Sequence, residues 1–196
     1  MNQTELRSGS IYLVARGLLL VALCIVTASL GLQVALLQPI AVGLETVARK
    51  DSLNPRLATA LSFGHTMTLT DWLWIDVLQN ANLEKVLPGV RAKVYWNLML
   101  ISELDPLFHE AYYAGANLMT VINDDHLGAL TLLAKGKDFL ESWGPKKYPR
   151  AVIDRYWAQA WRLPMIAGYI RLFELGDMNS AAAEFVHAAA MPNAPV

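Results

Sequence analysis

From Met165 to Pro192 the chain reads MIAGYIRLFELGDMNSAAAEFVHAAAMP. Two apolar segments of helical length, Met165 to Leu175 and Ser180 to Ala190, are divided by Gly176-Asp177, a glycine followed by a residue suited to start a helix. Small side chains at Ala181 and Ala188 let two antiparallel helices approach closely, and Phe185 between them fills the space beyond. The stretch therefore predicts a helix hairpin, opened at its N-terminal end by Pro164 in a first helical turn.

Working back from it, the same punctuation recurs. Asp105-Pro106 ends a helix over Val90 to Leu104, and Asn123-Asp124-Asp125 separates helices over Leu107 to Ile122 and Leu127 to Ser142. Gly144-Pro145 and Pro149 open a loop, and Pro88-Gly89 closes a segment that reaches back to Arg56 with an interruption near Gly64. Apolar residues recur at three- and four-residue spacing, and hairpin signals such as Asn-Gly are absent, so the expected class is all-α. Asp124-Asp125-His126 falls at a helix start, where aspartate is an ordinary cap.

The segment from Met165 to Pro192 resembles a tetratricopeptide repeat, with Leu175-Gly176-Asp177 at its helix-to-helix turn and Ala181, Phe185 and Ala188 at the small, aromatic and small positions of its second helix. A second unit from His109 to Gly144 is similar, through Tyr112, Ala116 and Met119 in its first helix and Ala129 and Leu133 in its second. Leu104-Asp105-Pro106 resembles the ending of a preceding repeat, with Tyr95 to Glu103 as its second helix. Leu61 to Gln79 does not fit a repeat and looks similar to a stretch of bacterial membrane-anchored tetratricopeptide-like proteins. The resemblance implies an α-solenoid of antiparallel helix pairs and a habit of binding other proteins.

At the other end of the chain, Gly17 to Leu37 (GLLLVALCIVTASLGLQVALL) carries no charge. As a helix it measures roughly 30 Å, the thickness of a hydrocarbon core, which predicts a transmembrane anchor. A cleaved signal ending near Val26-Thr27-Ala28 and a lipoprotein site at Cys24 are the competing readings. The expected organisation is a cytoplasmic tail over 1–16, the anchor over 17–37, a linker over 38–55 and a helical domain over 56–196. Arg16 abuts the span, whereas Arg49, Lys50 and Arg56 lie further out, so the domain is expected on the periplasmic side of an inner membrane.

The single cysteine, Cys24, lies in that span, so the domain has no disulfide, and a net charge of −1 argues against a nucleic-acid partner. None of the four histidines has metal-ligand spacing, and the chain lacks a nucleophile elbow and a phosphate loop; neither metal nor cofactor is expected. The aromatics say more. Trp157 and Trp161 stand four apart and therefore on one helical face, near Arg155 and Arg162. With Trp72, Trp74 and Trp143 they are either core or the docking face of a partner, since binding energy concentrates in Trp, Tyr and Arg. The expected function is a membrane-anchored scaffold for components of an envelope complex. The alternatives are an integral subunit held through its span, or an enzyme in which His65, Asp71, Asp76 and His126 are the groups to change first.

Overall fold

A computed structural model describes residues 16, 20, 21, 23–29, 31, 54–79 and 91–195. The chain divides into two units, Met1–Lys50 and Asp51–Val196. In the first, the described residues are helical and exposed, with Leu20, Ile25 and Val26 open to solvent. The hydroxyl of Thr27 donates to the carbonyls of Leu23 and Cys24, and that of Ser29 to Val26, so these polar groups are satisfied on their own helix. Among the described residues no helix is long and apolar enough to cross a membrane. The remainder of the segment 17–37 lies outside them, as do nearly all of the tail 1–16 and the linker 38–55.

The described residues of the second unit form helices joined by turns, without a strand among them. We number its longer helices α1 (Pro55–Leu61), α2 (Thr66–Gln79), α3 (Lys93–Leu104), α4 (His109–Val121), α5 (His126–Asp138), α6 (Arg150–Tyr156), α7 (Arg162–Tyr169) and α8 (Met178–Ala190); Gly144–Lys147, where the sequence predicts a loop, is one further helical turn. The interruption read at Gly64 is real: Phe63 and Gly64 take positive φ values of 48° and 88° and end α1. Pro164 falls in the first turn of α7. Each long helix packs on the next, and α3 also meets α5 while α4 meets α7. The fused core joins Leu73 and Val77 of α2, Leu98 and Ile101 of α3, Tyr112 and Met119 of α4, Leu132 of α5 and Leu163 of α7.

Two turns share one construction. After α4, Asp124 adopts φ 57°, the amide of Asp125 donates to the carbonyl of Met119 at 3.0 Å, and the Asp125 carboxylate accepts from the Gly128 amide at 2.8 Å. After α7, Gly176 adopts φ 66°, the amide of Asp177 donates to Arg171 at 2.8 Å, and its carboxylate accepts from Ser180 at 3.1 Å. A left-handed residue closes one helix and an aspartate opens the next. Hydrogen bonds from Ser180 hold the Asp177 carboxyl below the usual carboxylate range. Both α5 and α7 widen into a π-turn at their ends, over Phe139–Trp143 and Ile170–Glu174.

Asp125 does more than cap. Only 3% exposed, it also accepts from the backbone amide of Ala92 at 3.0 Å and from Arg91 at 3.2 Å, so one carboxylate ties the start of α3 to the start of α5. Gly128 leaves the room for it, since a Cβ there would stand 2.4 Å from Asp125 Oδ2. Glycines serve the helix contacts likewise: Gly115 admits Leu98, Gly136 admits Leu163 and Tyr112, and Gly168 admits the ring of Phe185.

Replacing Asp125 by alanine removes the cap of α5 and strands the Ala92 amide, at a cost of about 2–4 kcal/mol. Asp125→Asn, which keeps an acceptor, loses less. Urea denaturation of the two variants measures the difference, and equal losses would show that the buried acceptor carries no special weight.

Candidate functional site

The sites named from sequence separate into core and surface. Trp157 is 3% exposed and sits in a ring cluster, 5.1 Å from Tyr112 and from Phe139 and 5.2 Å from His109. It presents no surface to a partner. Trp157 and Trp161 also do not share a helical face, because α6 stops at Tyr156 and residues 157–161 form turns. Trp74 is half-buried, edge-on to Phe108. Trp143 is half-buried, edge-on to Phe139, with the Lys147 ammonium 5.8 Å from its ring and 5.1 Å from Tyr148. Trp72 and Arg155 are exposed. Trp161 and Arg162 are half-buried and close together, the Arg162 guanidinium standing 4.9 Å from the Tyr113 ring and 5.6 Å from that of Trp161. The structure therefore brings Trp161 and Arg162 together with Tyr113 of α4, a residue the sequence reading missed.

The groups set aside for an enzyme are spread over the turn before α2, α2 itself and the start of α5. His65 is exposed before α2 and Asp71 is exposed upon it. Asp76 accepts a 2.8 Å hydrogen bond from Asn97, and His126 stands 3.7 Å from Glu174 at the start of α5. Among the described residues no three His, Cys, Asp or Glu side chains are placed to hold a metal ion.

Beside Trp157, His109 is buried parallel to Tyr113, with its Nδ1 3.8 Å from the Glu110 carboxylate. Burial lowers the imidazole pKa below 6.5, against the opposing pull of Glu110. Burial likewise pushes the Tyr112 phenol far above its usual value, so it stays protonated and donates to the Ser102 carbonyl. Asp105 is raised by burial, offset in part by the hydrogen bond it accepts from Leu107.

The largest change of character on the surface is at α8. Ala181 and Ala188 face inward, while Met178, Ala182, Ala183, Val186, Ala189 and Ala190 are all exposed, Met178 at 72% and Val186 at 71%. The charged side chains of the helix lie off this face: Glu184 is 3.7 Å from Arg171 and His187 is 3.5 Å from Glu141. Next to α8, Tyr169 and Phe173 are exposed and in ring contact at 4.7 Å. Asn179 and Phe185 are exposed on α8 as well, so its outward side is uncharged and mainly apolar with one amide, a surface suited to packing against another helix. Compared with protein-family models, curated proteins and solved structures, the chain matches none.

Trp157→Ala should cost about 3–5 kcal/mol of stability and Trp72→Ala no more than about 0.5 kcal/mol, read by chemical denaturation. The His109 shift has a sign. Neutral imidazole is favoured in the folded state, so its contribution is complete above pH 6.5 and is lost as the pH falls from there through the lower folded value. The melting temperature should drop between pH 7.5 and 5.5, and less so in His109→Gln.

Proposed function

We propose that the protein is a membrane-anchored scaffold, an accessory or assembly subunit that holds another protein of an envelope complex through its helix pairs. The observation that carries this reading is the outward face of α8, where the exposed residues from Met178 to Ala190 include no charge and, apart from Asn179, no polar side chain. Helices that stack in pairs bury their apolar faces on neighbours, and an apolar face left exposed is suited to a partner. The uncharged segment Gly17–Leu37, read as an anchor in the inner membrane with the helical unit on the periplasmic side, would confine that face to two dimensions. Confinement raises the effective concentration of any partner in the same membrane, so a face of modest size suffices. The tetratricopeptide resemblance supports the same reading, because its established use is holding other proteins.

Crosslinking of the tagged full-length protein in its native membrane, followed by detergent purification and mass spectrometry, tests it. A fixed set of proteins should accompany the wild type at constant ratio and fall at least tenfold with Val186→Glu, a surface change that leaves the fold intact. A monodisperse monomer with nothing reproducibly attached would sink the scaffold reading. Exchange of residues 17–37 for an unrelated transmembrane helix separates the integral-subunit alternative, in which the exchange abolishes assembly.

A further inference from the structure

The first two helices carry an apolar face of their own. Leu57 of α1, Phe63 in the turn, and Met67, Trp72, Ile75 and Leu78 of α2 are each 40–60% exposed. On α2 the four lie opposite the buried Thr70, Leu73 and Val77, and the exposed Asp71, four residues from both Met67 and Ile75, shares their side of the helix. The exposed charges of residues 54–79 are Arg56 and Asp71, one of each sign, while Asp76 is engaged with Asn97. Single exposed hydrophobes are ordinary, whereas six on one helix pair make a contiguous patch of the kind that marks a contact surface.

Chain position identifies the occupant. Residues 38–54 separate Leu37, the end of the uncharged segment, from Pro55, the first residue of α1. At full extension they reach at most about 60 Å, so a bilayer holding residues 17–37 is always within range of this pair. The chemistry agrees with lipid. Trp and Phe favour the headgroup level, Leu, Ile and Met favour the acyl boundary beneath it, and two opposite charges give no electrostatic preference. We propose that the exposed face of α1 and α2 lies on the bilayer surface as a second, electrically neutral membrane contact. This rests on the reading of residues 17–37 as a membrane anchor. Half of the exposed residues of α8 are alanine, which gives less apolar depth for the same role.

The test uses the full-length chain, with Cys24→Ser, in phosphatidylcholine vesicles. A nitroxide is placed through Ile75→Cys on the proposed face and, in a second sample, through Val186→Cys on α8. Collision rates with oxygen, which concentrates in lipid, and with a water-soluble nickel chelate report the surroundings of each label. At position 75 oxygen should dominate, at position 186 nickel, and neither ratio should change when phosphatidylglycerol is added or salt is raised. Nickel access at 75 equal to that at 186 would overturn the proposal, and so would shielding from both reagents, which means a covering protein. Alkaline carbonate extraction of the same vesicles tests the anchor separately: release of a chain whose position 75 faces lipid defeats the anchor and leaves the face, whereas retention with position 75 open to nickel does the reverse.

Discussion

The architecture of the helical unit hangs on a buried carboxylate. Asp125 receives the amide of Gly128 from its own helix, and the amide of Ala92 and the guanidinium of Arg91 from another, all within 3.2 Å. A charge with so little solvent is tolerated only because donors surround it, and each donor is itself fixed by a helix start. The consequence is positional. With α3 and α5 pinned at their N-terminal ends, Leu98 can enter the gap at Gly115 and Tyr112 the gap at Gly136, and the core closes around them. A carboxylate that only capped α5 would leave the angle of α3 to apolar packing, which specifies direction poorly.

Much of this was legible in the chain and some was not, for identifiable reasons. The helix boundaries were written in Gly64, Asp105-Pro106, Asp125 and Gly176-Asp177, because such residues act locally, through φ and through side-chain acceptors. The small positions Ala181 and Ala188 were legible too, since they repeat along one face. Asp125 was read as a cap, which it is, but its second partner lies 33 positions away at Ala92. Nothing in a local pattern announces a bond of that span. The close approaches at Gly115, Gly136 and Gly168 escaped for the same reason: a glycine within a helix looks like a weakness until the side chain that occupies its space is known.

The aromatic residues show a different limit. Spacing of four places Trp157 and Trp161 on one face only where the helix continues between them. The chain instead leaves the helix at Trp157, with φ −115° and ψ 33°, and the two rings part, one into the core and one to the rim beside Arg162. Tryptophan is large enough to anchor either a core or an interface, so its identity does not choose between them. Only the backbone path does.

The π-turns that end α5 and α7 bear on how such a chain can be recognised at all. A π-turn is the footprint of one additional residue taken up by a helix that does not break. With this slack, and with α6 inserted between the pairs, Asp125 and Asp177 perform the same act 52 positions apart, whereas a regular tetratricopeptide array repeats at about 34. The two helix pairs are therefore alike in hydrogen bonding and unlike in spacing. Likeness between the two turns is carried by hydrogen bonds and backbone angles, which a fixed interval along the chain does not register.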